Sequence, residues 1–404
     1  MINKKKVSWI LYDWANSAYA TIVLAGFYPI IFAEHFASLF SNSERTFVLG
    51  ISNSAASLLL IIIAPVLGII ADKKQVKLRF LILFAFISII STLSLAFIGK
   101  DHWALASLFF SISLFGFMLS NVFYDSMLLD FNRDQYNSIS SYGYAIGYLG
   151  GGIAFVISLS FLFYFNDSPI DLIINKKIVF IFTSIWWLIF MIPLMIYWKD
   201  IRATNHKLNI NLRDTYKKII SNKKIFYFLI SYWLYIDGVD TIIRMAVNYG
   251  ITIGFTSNDL LIALLVTQFI SFPGTLLINK LAEYKSIEYS IIFCLFLYIF
   301  ITLIAYNLTT IYEFYLIAII IGLAQGGVQA LSRSYFASII PDNRSSEFFG
   351  VYNMLGKFAA LLGPILVGTV TILSNNSRLG MLSIITFFII GLYLFNKQSK
   401  IKQS

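Results

Sequence analysis

The chain has 404 residues, of which 58% are hydrophobic and 12% are charged, and its formal net charge is +10. An average soluble domain is about 25% charged, so this composition excludes an ordinary soluble protein. Apolar runs of about 20 residues recur along the sequence, and each can cross roughly 30 Å of hydrocarbon as a helix. The sequence therefore predicts a membrane protein.

Twelve transmembrane helices are predicted, because the apolar runs are continuous and do not alternate with period two. The first run is too long for the apolar core of a cleaved signal peptide and is predicted to be the first span. In chain order the predicted spans are 8–33, 46–70, 80–99, 103–127, 138–165, 177–198, 226–251, 259–279, 288–307, 311–335, 347–372 and 379–396. An even number of spans places both termini on one side of the membrane.

The distribution of Lys and Arg predicts which side that is. With the amino terminus inside, the inner segments hold 22 of these residues and the outer segments hold five. Cytoplasmic loops carry such an excess, so both termini are expected in the cytoplasm. The Ile, Lys, Asn and Phe content is typical of an AT-rich bacterial genome, which suggests the inner membrane of a bacterium. Because the basic loops lie beside anionic headgroups, nucleic acid is not expected as a partner.

An aspartate lies within an otherwise apolar span at two places with similar surroundings, YDWANSAY in the first span and YIDGVDTIIR in the seventh. Alignment of Asp13 with Asp237 pairs Asn16 with Asp240. An ionised carboxylate in hydrocarbon costs roughly 2.5–3.5 kcal/mol even on a lenient insertion scale, so it is usually tolerated only where it faces a bundle interior or a wet cavity. The repeat indicates an internally duplicated membrane protein with a polar path through it.

Other positions also repeat between the two halves. At an offset of 207 or 208 residues, Pro65 matches Pro273, Gly143 matches Gly350, and Asp125 matches Arg333. The longest polar stretch separates the halves. The chain is therefore predicted to form an N-terminal six-helix bundle at 1–198, a cytoplasmic linker at 199–225 and a C-terminal six-helix bundle at 226–404. Two parallel six-span halves are the arrangement of the major facilitator transporters.

The segment GIIADKKQVKLR at 68–79 follows the second span and resembles the loop signature of the major facilitator superfamily. Gln75 occupies the place of the second glycine and Leu78 replaces one basic residue, so the match is partial. A carboxylate beside cations at a helix–loop junction can pair with a neighbouring helix end. Asp72 is therefore predicted to latch the cytoplasmic face shut. The alternative is a solvated, positively charged loop.

Four longer motifs resemble a narrower group. They are YDWANSAY at 12–19, GYAIGYLGGG at 143–152, GGVQALSRSYFASIIP at 326–341 and EFFGVYNMLGKFAALLGP at 347–364. By these motifs the chain is identified as a bacterial member of the vacuole-effluxer family, which comprises the fungal autophagy-related vacuolar amino-acid effluxer and its relatives. The resemblance implies a major facilitator fold and, for the fungal members, export of amino acids from a degradative vacuole. That substrate does not transfer automatically to a bacterial chain.

Charged and amide side chains near the middle of several spans are the candidate substrate site. Asp237, Asp240 and Arg244 share one face of the seventh span, and Asp240 with Arg244 is an i,i+4 pair. That pair has the alternative interpretation of a self-satisfied structural ion pair. Lys357 lies near the midplane of the eleventh span, where snorkelling reaches only part of the distance to water, and it either pairs with Asp237 or contacts substrate. The predicted substrate-binding set is Asn16, Asp237, Asp240, Arg244, Gln325, Gln329, Asn353 and Lys357.

A second set lies closer to the cytoplasmic ends of the spans and suits a gate or a structural lock better than a binding pocket. Its members are Asp13, Asp72, Asn121, Asp125 and Arg333. Asp13 and Asp125 could share Arg333 when the inner side is closed. The alternative role is proton carriage by Asp13 or Asp125, since a carboxylate can be desolvated in one state and paired in another.

Catalysis finds no support in the sequence. His35, His102 and His206 fall in three separate segments and Cys294 stands alone, so neither a metal cluster nor a Cys/His dyad is expected. A phosphate-binding Gly-x-x-x-x-Gly-Lys-Ser/Thr loop is absent from the sequence. No cofactor is predicted.

The predicted function is secondary transport of a small polar metabolite by alternating access in a monomer, with amino acids as a candidate substrate class. The bilayer and a small-molecule substrate are the expected partners. Protons are the expected coupling ion, since the buried aspartates stand beside cations rather than in an oxygen-rich helix break. The alternatives are a transporter-like membrane sensor, or an exporter of organic anions, lipid-derived solutes or drugs.

Overall fold

A computed structural model of the chain describes residues 3–164, 169–200 and 212–401. Within these ranges, the side chains of residues 42, 43, 46, 162–164, 169–176, 212, 247, 248, 257, 258, 261 and 357–361 lie outside the description. The described residues form helices joined by short turns, and none of them lies in a β-strand. The prediction of an all-α protein is confirmed.

Contacts between helices divide the chain into two compact units, of which the first comprises Met1–Met127 and Ile146–Leu208. Its helices are α1 (Lys4–Ala18), α2 (Tyr28–Ile31), α3 (Asn42–Lys74), α4 (Lys77–Leu95), α5 (Trp103–Ser126), the greater part of α6 (Tyr136–Tyr164), and α7 (Pro169–Tyr197). Helix α4 packs against α5, and α1 packs against α7. The helix that carries Asp13 is therefore held along the side of α7.

The second unit comprises Leu128–Ala145 and Asn209–Ser404. Its helices are the start of α6, then α8 (Leu212–Ser221), α9 (Lys223–Ile253), α10 (Ser257–Tyr284), α11 (Ile287–Tyr306), α12 (Ile311–Ile339), α13 (Ser345–Ser374), α14 (Ser377–Ser383) and α15 (Ile385–Ser399). Helix α9, which carries Asp237, packs against α13 and α15, and α10 packs against α12. The predicted division into bundles at 1–198 and 226–404, joined by a linker at 199–225, stays a prediction.

Eleven helical segments among the described residues are long and apolar enough to cross a membrane. They coincide with the first ten predicted spans and with the twelfth. The predicted eleventh span, 347–372, falls on α13, of which Leu362–Ser374 forms a shorter apolar stretch. The chain is therefore a multi-pass membrane protein, and the count of twelve spans stays a prediction.

Two local features were absent from the sequence prediction. The 199–225 linker contains α8, a ten-residue helix. The first span is interrupted by π-helical segments at Tyr19–Phe27 and Phe32–Phe36. Such i→i+5 turns are rare and are frequent at functional sites. Apolar patterning could not reveal them, because the run is apolar on all sides.

Aromatic rings fill the core of each unit. In the first unit, Trp9 stacks on Tyr124 with centroids 4.2 Å apart, and its indole N–H donates to the Tyr124 carbonyl at 3.1 Å. In the second unit, Tyr232 stacks on Tyr352 with centroids 4.1 Å apart. Cys294 of α11 is fully buried within the same unit. These rings fix the helix segments that carry Asp13 and Asp237.

Candidate functional site

Asp237 lies in α9 with 1% of its surface exposed. Its Oδ1 accepts hydrogen bonds from the Gly363 amide at 2.9 Å and from the Thr241 hydroxyl at 3.3 Å. Its Oδ2 is buried and has no hydrogen-bond partner among the described residues. A buried charged oxygen without a donor is costly. Asp237 is therefore held through one oxygen, by the backbone of α13 and by the next turn of its own helix.

Gly363 permits this contact between α9 and α13. A Cβ atom added at Gly363 would overlap the Thr241 hydroxyl and would lie 2.7 Å from Asp237 Oδ1. Only glycine fits so close an approach. Gly363 belongs to the motif EFFGVYNMLGKFAALLGP at 347–364, but the sequence predicted no role for it. The Gly-Pro pair within an apolar helix was the available signal, because it marks a place where backbone can meet another helix.

Asp13 has similar local surroundings in the first unit. The side chain is 8% exposed, and its Oδ2 accepts a hydrogen bond from the Tyr124 hydroxyl at 3.0 Å. A Cβ atom added at Gly147 would lie 2.8 Å from the Ser17 hydroxyl and 3.5 Å from the Asp13 carboxyl carbon. Both aspartates thus have a hydroxyl residue four positions later and a glycine of a neighbouring helix against them. Sequence reasoning missed Tyr124 as the partner of Asp13.

Asn16 and Asn121 come together in the first unit. The Asn16 side-chain nitrogen donates to Asn121 Oδ1 at 2.7 Å, and Asn16 is 3% exposed. The two residues were predicted for different roles, substrate binding and gating. Their hydrogen bond links α1 to α5.

Arg333 is 1% exposed and is held by the start of α6, within the second unit. Its Nε donates to the Ser140 hydroxyl at 2.8 Å, and its Nη2 donates to the Ser140 carbonyl at 3.0 Å. The guanidinium carbon lies 4.3 Å from the centroid of the Tyr144 ring, which adds a cation–π attraction. Sequence reasoning named neither partner. The predicted sharing of Arg333 by Asp13 and Asp125 stays a prediction.

The remaining predicted substrate-binding residues lie on three helices of the second unit. On α9, Asp240 is half-buried and Arg244 is exposed. On α12, Gln325 is 8% exposed, its Oε1 has no hydrogen-bond partner among the described residues, and Gln329 is half-buried. The Asp240–Arg244 ion pair stays a prediction.

Helix α13 contributes the last two predicted residues. The Asn353 side-chain nitrogen donates to the Phe349 carbonyl at 3.1 Å within the same helix. Lys357 lies in α13, but its side chain lies outside the described residues. The described hydrogen bonds do not join Asn353 or Gln325 to Asp237. In the described ranges, three or more His, Cys, Asp or Glu residues nowhere gather as a metal site would require.

The loop after α3 is tied to the rest of the first unit. The Leu78 amide donates to Asp200 Oδ1 at 2.8 Å, and Lys77 Nζ donates to the Ser126 carbonyl at 3.4 Å. Asp72 is 1% exposed. Gln75 ends α3 in the left-handed conformation, with φ 54° and ψ 50°. The position where the superfamily signature has glycine is therefore the one position of this loop that glycine suits best.

Substitution of Gln75 by Gly is expected to stabilise the protein by about 1 kcal/mol, because the left-handed conformation costs a side-chain-bearing residue roughly that much. The change also removes the 2.9 Å hydrogen bond from Gln75 Nε2 to the Asp72 carbonyl. Gln75→Ala is the matched control, since it removes the same hydrogen bond but keeps Cβ. Thermal unfolding of the purified proteins should rank Gly above Ala, and equal midpoints for the two variants would contradict the strain at Gln75.

Comparison with known proteins supplies the family. A sequence model of the family described as "Vacuole effluxer Atg22 like" matches residues 40–402. The "Uncharacterized MFS-type transporter YxiO" of Bacillus subtilis is 36% identical over 401 residues, which covers 97% of this chain and 94% of that protein. "Autophagy-related protein 22" of Saccharomyces cerevisiae strain S288c is 24% identical over 380 residues, or 79% of this chain and 71% of that protein.

Solved structures agree on the fold. The human organic anion transporter MFSD10 superposes with a TM-score of 0.76 at 14% identity and covers 97% of this chain and 99% of its own. The major facilitator superfamily transporter FucP, in its outward conformation, superposes with a TM-score of 0.74 at 12% identity. The match covers 100% of this chain and 99% of the FucP chain. At these identities the likeness concerns the fold alone. The predicted major facilitator fold is confirmed.

Proposed function

The chain belongs to the vacuole effluxer Atg22-like family, and we propose that it is a secondary active transporter that moves a small polar metabolite by alternating access. The family and the fold make it a transporter of the major facilitator type. The proposal adds the substrate class and the coupling, with no catalytic step. It also includes a monomeric state, a bacterial inner membrane and cytoplasmic termini, and the distribution of Lys and Arg supports the position of the termini.

Proton coupling through Asp237 is the central part of the proposal, and the carboxyl geometry supports it. One oxygen is anchored by the Gly363 amide and the Thr241 hydroxyl, while the other is buried without a described partner. The carboxyl would be protonated in this conformation and would release the proton when water or a cation reaches Oδ2. A carboxyl whose surroundings alternate in this way carries a proton across the cycle.

Amino acids are the proposed substrates. An amino-acid zwitterion needs an anion and a cation near each other, and the half-buried Asp240, the exposed Arg244 and Lys357 would supply these charges. Gln325, Gln329, Asn353 and Asn16 would add neutral hydrogen bonds. The Oε1 of the buried Gln325 supports this, because a buried acceptor without a donor among the described residues can accept a hydrogen bond from a ligand.

Transport by the purified protein in liposomes tests the proposal. Labelled amino acids and other small polar metabolites are offered under an imposed pH gradient, and at least one amino acid should accumulate. Accumulation that follows a sodium gradient at constant pH would overturn proton coupling. If the labelled solute only equilibrates with the outside concentration under both gradients, the protein is a facilitator. If it transports only organic anions or lipid-like solutes, the proposed substrate class is overturned.

A further inference from the structure

A basic groove lies at one end of the second unit, where several helices begin or end. Its volume is about 1190 Å³. The lining includes Arg133 in the turn before α6, the helix α8, the start of α9 and the turn between α12 and α13. Candidate membrane spans begin at Lys223 of α9 and end at Ile339 of α12. The groove is therefore at the level where apolar spans give way to polar chain, which is the level of lipid headgroups.

Four lysines carry the charge of this groove: Lys217, Lys218, Lys223 and Lys224. The two arginines of the lining already face carboxylates, since Arg133 pairs with Asp342 at 2.8 Å and Arg344 pairs with Glu347 at 2.6 Å. Among the described residues, none of the four lysines forms an ion pair. Asp214 is the acidic residue of the lining. The groove therefore has an excess of positive charge available to a ligand.

Helix α8 adds an apolar edge to these lysines. Tyr216 is 42% exposed and Ile220 is 64% exposed, one turn apart on the same face. On the other face, Thr215 and Ile219 are buried against the unit. A short helix with lysines beside exposed apolar side chains is the pattern of a segment that lies at a membrane surface.

Helix α8 is also fastened to the start of α13. The Arg344 guanidinium donates to Glu347 at 2.7 and 2.6 Å and to the Thr215 hydroxyl at 3.3 Å. Arg344 is 5% exposed, and Glu347 and Thr215 are fully buried. The orientation of α8 is thereby fixed relative to α13, which keeps the backbone that carries Lys217 and Lys218 beside the groove.

From this geometry we propose that the groove binds the phosphate headgroup of an anionic phospholipid. The four lysines contact the phosphate, and Tyr216 and Ile220 contact the upper part of the acyl chains. The ligand is a lipid rather than a soluble anion, because the apolar edge adjoins the lysines and the groove lies where the spans end. Bound lipid would hold α8, and through Thr215 and Arg344 it would hold the start of α13, the helix that also contacts Asp237.

Lipid binding by the full-length purified protein tests this proposal. Phosphatidylglycerol and phosphatidylcholine are titrated into detergent-solubilised protein, and bound lipids are counted by native mass spectrometry. The groove variant replaces the four lysines by Gln, which keeps much of each side chain and removes the charge. The matched control replaces four lysines outside the groove, Lys73, Lys74, Lys280 and Lys285, all exposed. Thermal unfolding establishes that each variant is folded, and Lys217→Gln with Lys218→Gln serves if the quadruple variant is not.

We expect wild type to prefer phosphatidylglycerol, and the groove variant to bind it at least about tenfold more weakly, since each lysine near an anionic surface contributes several-fold. The control should keep the wild-type affinity. An equal loss in the control would overturn the proposal, because any four inner lysines would then serve. Displacement of the lipid by millimolar inorganic phosphate would also overturn it, since the groove would then take a soluble anion.

Discussion

Replacement of Asp237 by Asn is expected to abolish accumulation driven by a pH gradient while solute exchange persists. The Asn side chain has the same shape, and its carbonyl oxygen can still accept from the Gly363 amide and the Thr241 hydroxyl. It cannot exchange a proton, so the transport cycle loses its coupling step but keeps its packing. Accumulation and counterflow of the same labelled solute, measured in one set of liposomes, separate the two outcomes.

Asp101→Asn is the matched control for this experiment. Asp101 lies outside the predicted spans, and the Ser38 hydroxyl, which donates to its Oδ1 at 2.7 Å, holds the pKa of the carboxyl below its usual range. Asp101 therefore stays ionised at the pH of the assay and carries no proton there. The backbone also tolerates the change, because asparagine accepts the left-handed φ of 58° at this position. Proton-driven accumulation that survives in Asp237→Asn would refute the assignment.

Gly363→Ala is expected to lower stability by about 1–3 kcal/mol, because the added methyl group overlaps atoms of α9 in a packed core. The same methyl group displaces the Asp237 carboxyl, so proton-driven transport should fall in whatever protein remains folded. Gly368→Ala is the matched control in the same helix. A Cβ atom at Gly368 meets nothing within 4 Å, so this variant should unfold at or above the wild-type temperature.

A double-mutant cycle identifies the atom responsible. The nearest contact of the added Cβ is the Thr241 hydroxyl, and Thr241→Ala removes it. The double variant should be less destabilised than the sum of the two single variants, since residues in contact couple in this way. Additive losses, or a destabilisation by Gly368→Ala as large as that by Gly363→Ala, would show that the contact with α9 is not the cause.

Much of the fold followed from apolar run length. The short polar gaps near residues 100 and 309 do separate helices, since α4 ends at Leu95 before α5 starts at Trp103, and α11 ends at Tyr306 before α12 starts at Ile311. The all-α membrane fold and the family are confirmed. Helix α8 escaped notice because a ten-residue helix in a polar linker has no long apolar run. The π-helical turns were not predicted, because an apolar α-helix and an apolar π-helix have the same composition.

The site was harder to predict from the sequence, because it depends on contacts between residues that are far apart in the chain. The sequence alignment of Asp13 with Asp237 indicated both carboxyls as candidates. Their partners Tyr124 and Gly363 lie 111 and 126 residues away from them in the chain. Sequence reasoning named neither the Ser140 hydroxyl and carbonyl nor the Tyr144 ring, which contact Arg333, and the predicted sharing of Arg333 by Asp13 and Asp125 stays a prediction. A buried cation can bind hydroxyl, carbonyl or carboxylate oxygens, and the residue types of a span alone do not say which of these it binds.

The solitary cysteine gives this protein a built-in reporter of unfolding. Cys294 is fully enclosed in α11, so a thiol-reactive dye will fluoresce only when the second unit opens. The readout for Gly363→Ala is direct, because that residue belongs to the same unit. Gln75 belongs to the first unit. If Gln75→Gly shifts the temperature at which dye fluorescence begins to rise, the two units unfold together as one cooperative body. If that temperature is unchanged while the midpoint temperature of helix loss rises, the two units unfold one after the other.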